Sequence, residues 1–171
     1  YNEAMNRYGS DKPDTRYGME LIDITDEVSS SDFVVFKSAT AEGGTVRAIN
    51  AKNAVSALSR KEIDKLTDYV KGIGAKGLAW IRITDDGVSS SFAKFITEDE
   101  MNAILKKTCA EKGDVILIVA DKIKNHVLTV LGALRQKVAK KLDIIPEGKY
   151  NFLWITEFPF FEYDEELKQF V

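Results

Sequence analysis

Histidine and cysteine are nearly missing from this sequence: its 171 residues hold one of each, His126 and Cys109. A single cysteine forms no internal disulfide, and together the two cannot build the usual nitrogen and sulfur cage for zinc. Their scarcity predicts a reducing, cytoplasmic setting. Long apolar runs are missing as well. The longest aliphatic stretch, Val115 to Ala120, falls far short of the roughly 20 residues that a membrane-spanning helix needs. No apolar export signal and no starting methionine open the chain, which predicts a segment cut from something longer. An excess of positive charge is also lacking. With 24 basic against 27 acidic residues, a net charge of -3 and a pI near 5.3, the whole surface cannot attract a polyanion, so any RNA contact must be local. Low-complexity tracts are absent, and 44% hydrophobic beside 30% charged residues describes a folded globular chain.

What is present reads as alternating short elements. Residues 1–8 form the end of a helix. A polar loop punctuated by Gly9, Pro13 and Gly18 follows, then an apolar extended piece with Leu21, Ile22 and Ile24. Phe33 to Ser38 and Thr45 to Ala51 are rich in Val, Ile and Phe around a glycine turn, which predicts a β-hairpin. Ser59 to Glu62 matches a capping box, and Ile63, Leu66, Val70 and Ile73 continue it as the apolar stripe of a helix. A second hairpin is expected from Leu78–Thr84 and Ser91–Ile96 around Asp85-Asp86-Gly87. A second capping box, Thr97 to Glu100, opens a helix whose buried stripe is Met101, Ile104, Leu105 and Cys109. The fold class that follows is α+β. The expected unit is a two-layer ββαββα domain, an antiparallel sheet with helices on one face, occupying residues 31–121.

The continuously apolar run after Asp114 predicts a strand buried on both faces. It leads into a long helix with Val127, Leu131, Leu134, Val138 and Leu142 on one face. Arg135, Lys137, Lys140 and Lys141 crowd the end of that helix, where its dipole favours cations, and Pro146 and Gly148 stop it. The closing aromatic stretch NFLWITEFPFFEYDEEL reads as a strand made for burial in a larger sheet, with an acidic turn over Glu157–Glu166.

Few motifs point to chemistry. Gly72 to Gly77 fits G-x-G-x-x-G, but it lies at a helix C-terminus ahead of a strand, where the dipole repels a phosphate, so capping explains it. Cys109 on an apolar stripe reads as a packed small hydrophobe, and His126 has no ligand partner at helical spacing. The most site-like stretch is the loop with Tyr8, Ser10, Asp11, Lys12 and Arg16, which sets acids, bases and a hydroxyl on a restricted backbone. A plain connecting loop has the same composition. Lys61, Lys65, Lys71 and Lys76 offer a modest RNA-contacting stripe, although solvated helix faces carry such lysines anyway. No metal site is assigned.

YGSDKPDTRYGMELIDIT near the start and FLWITEFPFFEYDEE near the end resemble stretches of bacterial-type aspartyl-tRNA synthetases, as do SRKEIDKLTDYVKGIGAKGLAW and LGALRQKVAKKL between them. The resemblance implies a class II core interrupted by an insertion, the GAD domain, at residues 31–121, with residues 1–30 and 122–171 as flanking core segments. It implies a cytoplasmic ligase that uses ATP and magnesium to activate aspartate and passes it to tRNA. The parent would be a homodimer, while this piece would be a monomer that is inactive by itself. Neither the FRDED-like nor the GLGLDR-like stretch of that family is in the sequence, so no catalytic residue is carried over. The competing reading is an autonomous RNA- or protein-binding module, like the similar domain in B-type subunits of tRNA-dependent amidotransferases.

Overall fold

The run Val115–Asp121 dictates the architecture. Apolar at nearly every position, it has to be covered on both faces, and in the computed structural model it is the central strand of a five-stranded antiparallel sheet. The structure describes residues 1–161, 163–164 and 167–171. In chain order the elements are α1 (Asn2–Tyr8), β1 (Ile22–Asp23), α2 (Val34–Ala41), β2 (Thr45–Ala51), α3 (Arg60–Gly72), β3 (Ala79–Thr84), β4 (Gly87–Ser90), α4 (Glu98–Lys107), β5 (Val115–Asp121), α5 (Lys124–Lys141), β6 (Tyr163–Asp164) and β7 (Gln169–Phe170). The sheet runs β1-β2-β5-β3-β4, and β6 pairs with β7 in a separate ribbon.

Side chains alternate across the sheet with a period of two. Ile49, Ala51, Val115, Leu117 and Val119 meet α3 and α5 on one face. Val46, Ala48, Ile116, Ile118 and Ile81 meet α2 and α4 on the other. The chain is therefore α+β with an antiparallel sheet, as expected, but the helices cover both faces rather than one. Register explains the difference: Ile49 lies opposite Leu117 and Ala48 opposite Ile118, so each face of β2 and β5 is equally apolar. Neither face could be left in water. Residues on both sides of 31–121 join this core, since β1 extends the sheet from β2 and α5 packs on β2 and β5.

Two expected strands are not strands. Residues 34–41 form a helix, so 33–51 is a helix and strand instead of a hairpin. A strand would have divided the aromatic residues between two faces, whereas a helix turns Phe36 and Ala39 inward together. Phe36 then packs edge-on against Phe33 and Phe92, and Val34 is left 73% exposed. Likewise the partner of β3 is Gly87–Ser90 directly after the turn, and Ala93–Phe95 is a single 3-10 turn.

The helix starts hold better. Thr97 and Glu100 make both bonds of a capping box, whereas Ser59 accepts from the Glu62 amide and the Glu62 carboxylate turns instead to Lys65 and Lys141. Gly72 and Gly74 do end α3, with Gly74 at φ 102. Cys109 departs from its expected place: α4 stops at Lys107, and the cysteine sits exposed at φ 47 after the helix rather than on its apolar stripe. α5 ends before Pro146, at Leu142 and a left-handed Asp143. The aromatic segment 151–159 forms no strand, and Phe152 and Trp154 are more than nine-tenths exposed. Of the acidic turn read over Glu157–Glu166, Glu162, Glu165 and Glu166 lie outside the described residues.

Candidate functional site around the Tyr8 to Arg16 loop

The loop begins where α1 ends. Gly9 takes φ 67, which a glycine adopts without steric cost, and its amide bonds back to Met5. Two short side-chain turns then shape the backbone. The Lys12 amide donates to Ser10 Oγ at 3.0 Å, and the Arg16 amide donates to Asp14 Oδ1 at 3.1 Å. Arg16 also grips the same carboxylate as a fork, Nε to Oδ1 at 2.9 Å and Nη2 to Oδ2 at 2.7 Å. That bond holds the Asp14 carboxyl below its ordinary pKa and raises that of Arg16.

Lys12 to Arg16 face Lys149 to Phe152 across a cleft of about 280 Å³. Arg16 Nη1 donates to the Lys149 carbonyl at 3.4 Å, and Asn151 Nδ2 donates to Thr15 Oγ1 at 3.3 Å, tying its two walls together. Lys12 stands 87% exposed at the rim, 3.8 Å from Asp11. Tyr8 donates its hydroxyl to Glu20 at 3.3 Å, and burial raises its pKa. The five loop residues named from the sequence thus belong to one structural unit, but Arg16 is engaged by Asp14, and Tyr8 and Ser10 serve the loop's own conformation.

Arg135, one of the cations crowding the end of α5, proves to be the loop's anchor. Arg135 is 1% exposed. Its Nη2 donates to the carbonyls of Asp14 at 2.8 Å, Tyr17 at 3.1 Å and Gly18 at 3.0 Å, while Nε donates to Met19 at 3.0 Å and Nη1 to the Tyr17 hydroxyl at 3.3 Å. The rings of Tyr17 and Tyr8 enclose the guanidinium at 4.2 and 5.0 Å. Burial lowers its pKa from the usual arginine value. The signal was present in the sequence: Leu131, Arg135 and Val138 follow one another at i, i+4 and i+7, so the arginine sits on the apolar stripe itself.

The lysines do not form an uninterrupted stripe. Lys61, Lys65 and Lys71 lie exposed on α3 among the exposed acids Asp64 and Asp68. Lys65 pairs with Glu62 at 2.6 Å, and Lys76, beyond the helix, lies 3.4 Å from Asp121. Local charge on this surface is close to balanced. His126 Nδ1 stands 3.9 Å from the same Asp121 carboxylate. Among the described residues, no three His, Cys, Asp or Glu side chains gather as metal ligands, and no helix is long and apolar enough to cross a membrane. The carboxylates of Asp14, Asp23, Asp114 and Asp121 are paired with Arg16, Arg47, Lys52 and Lys76, so these four do not fit a magnesium ion.

Comparison with known proteins agrees with the sequence resemblance. The chain is 57% identical over 167 residues to the aspartate–tRNA ligase of Ruminiclostridium cellulolyticum and 56% identical over 166 residues to that of Clostridium botulinum. It is 53% identical over 166 residues to the aspartate–tRNA(Asp/Asn) ligase of a Geobacillus species. Each match covers 97% of this chain but 28% of the relative, so the chain spans little more than a quarter of the length of these proteins. The GAD domain profile matches residues 36–131, from α2 into α5 and across four strands of the sheet, and the chain belongs to the GAD domain family.

Proposed function

We propose that this chain is the insertion domain of a bacterial-type aspartyl-tRNA synthetase together with the core segments that flank it. The observation that carries this reading is identity above 50% to aspartate–tRNA ligases along 97% of the chain, flanks included. The parent enzyme would activate aspartate with ATP and magnesium and transfer it to tRNA in the cytoplasm as a homodimer. Residues 31–121 would be the inserted unit, docked through β1 and α5 onto the flanks at 1–30 and 122–171. The aromatic stretch at 150–161, with Phe152 at 94% and Trp154 at 93% exposed, supports the same reading: such a surface needs a partner, here the rest of the synthetase core. The role of the insertion is accessory, shaping the cleft or approaching the tRNA acceptor end.

Tyr8, Ser10, Asp11, Lys12 and Arg16 would line the core side of the cleft, with the chemistry performed elsewhere. The FRDED-like and GLGLDR-like stretches that would supply arginines and metal to stabilise a transferring phosphate are not in the sequence, so the isolated chain, a monomer, is expected to be inactive. Aspartate-dependent pyrophosphate exchange by the purified chain tests this directly. A blank result is expected, and exchange above background would overturn it. Binding to tRNA for aspartate at two salt concentrations, with an unrelated tRNA as control, separates this reading from an autonomous RNA module. Interleaved Asp64 and Asp68 favour weak or no binding through Lys61, Lys65, Lys71 and Lys76.

A further inference from the structure

Four main-chain carbonyl oxygens, those of Asp14, Tyr17, Gly18 and Met19, converge on the guanidinium of Arg135. Carbonyl oxygens turned towards one point repel one another, and a guanidinium, with its positive charge and five N–H donors, offsets that repulsion. Among the described residues Arg135 forms no ion pair, and the carbonyls and two tyrosine rings satisfy it instead. Filling this place on the apolar stripe of α5 would require only an aliphatic side chain, and a buried charge adds little net stability over such a replacement. The loop's shape includes Met19 at φ 62, which a non-glycine residue rarely adopts.

The start of the same loop is fixed to the same helix by a second, independent contact. Gly9 lies against Gly132, one turn before Arg135, so closely that a Cβ on Gly9 would come within 2.1 Å of the Leu128 carbonyl oxygen. A Cβ on Gly132 would likewise meet the Gly9 carbonyl oxygen at 2.3 Å. Both ends of the loop therefore rest on one face of α5, and α5 is itself buried against β2 and β5.

We propose that α5 is the template for the Tyr8–Arg16 loop and that Arg135 is its positioning residue, coupling the sheet of the GAD-family body to the Asp14–Arg16 fork that faces the cleft. A displacement of α5 on the sheet, as when a partner binds the body, is passed to the fork through the converging carbonyls. This inference rests on reading residues 8–16 as the ligand-facing loop of a synthetase core.

The test uses the chain as it is, with Arg135→Met and Arg135→Lys variants followed by nuclear magnetic resonance. The readouts are backbone shifts at residues 14–19, titration of the Asp14 carboxyl, and amide exchange at Leu21, whose N–H donates to the Arg7 carbonyl at 2.8 Å, against amides of β2 and β5. In Arg135→Met we expect Leu21 to exchange about tenfold faster or more with sheet amides unchanged, and the Asp14 midpoint to rise towards its ordinary value. Arg135→Lys, which keeps the charge without the fork, should restore part of each effect. An unchanged loop, or loop and sheet amides speeding up together in both variants, overturns the proposal. Should Arg135→Met not fold, the Arg135→Lys comparison decides alone: shifted 14–19 signals with an intact sheet support the proposal, and an unaltered loop overturns it. Loop shape is read here without any synthetase activity, so failure leaves the family reading standing, and pyrophosphate exchange by the isolated chain would leave this coupling standing.

Discussion

Arg135 meets Tyr17 in three ways: its guanidinium carbon lies 4.2 Å from the ring centroid, Nη1 donates to the phenol oxygen at 3.3 Å, and Nη2 donates to the tyrosine's main-chain carbonyl at 3.1 Å. The first two depend on the Tyr17 side chain and the third does not, so substitutions can separate them. Tyr17→Phe keeps the ring face and should cost about 1 kcal/mol, the ordinary net value of one hydrogen bond. Tyr17→Leu removes the ring as well and should cost about 2–4 kcal/mol, adding the attraction of a desolvated cation to an aromatic face. Urea denaturation of both variants checks the difference, and equal costs would show that the ring face contributes nothing.

The contact of Gly9 with Gly132 predicts an asymmetry between two helix glycines. Gly132→Ala places a methyl group within 2.3 Å of a backbone oxygen, so α1 and α5 must separate, at a cost of about 1–3 kcal/mol or more. Gly72→Ala, at the end of α3 with open space around it, should stabilise by up to about 1 kcal/mol. Thermal denaturation midpoints that move in opposite directions would bear this out.

How far the sequence could be read is clearest in α2. A run such as Phe33-Val-Val-Phe36 has the composition of a strand, and β propensity is a statement about packing surroundings more than about backbone. Its surroundings are Phe95, stacked on Phe33, and Phe92, edge-on to Phe36, nearly 60 residues away in sequence, and the helix turns Phe36 to Phe92. Local signals with a local cause survived: the Thr97 capping box, the glycine stop of α3 and the doubly buried β5. The candidate loop is legible as polar and restricted, but its anchor is not, because Arg135 reads with Lys137, Lys140 and Lys141 as a cation at the helix end although its helical phase places it with Leu131 and Val138.

The helix at 34–41 makes its own prediction. Phe36→Ala should cost about 3–5 kcal/mol, since the ring is fully buried among Phe33 and Phe92. Val34→Ala, at 73% exposure in a helix, should change stability by no more than about 0.5 kcal/mol. In a strand paired with β2 the two would be comparable, so a large Val34 effect would contradict the helix.

Glu62 joins α3 to the end of α5 through Lys141, with Lys65 as second partner, and these bonds lower its carboxyl from 4.5 to about 2. A depressed carboxylate contributes stability that is fully present above the unfolded value and is lost as pH falls through the folded one. The contribution therefore fades between about pH 4.5 and pH 2. Lys141→Met should move the Glu62 midpoint back up towards 4.5, read by carboxyl-carbon resonance titration. A midpoint unmoved by the substitution would show that Lys141 is not the cause.

The most direct test of the proposed identity is replacement. The aligned segment of the Clostridium botulinum aspartate–tRNA ligase, 56% identical, is exchanged for this chain and aspartylation of tRNA is measured. An insertion domain with its own flanks should restore a working cleft, with kcat/KM within about tenfold of the parent, a barrier change of about 1.4 kcal/mol. A chimera that folds like the parent yet charges no tRNA would contradict the reading of this chain as that part of the enzyme.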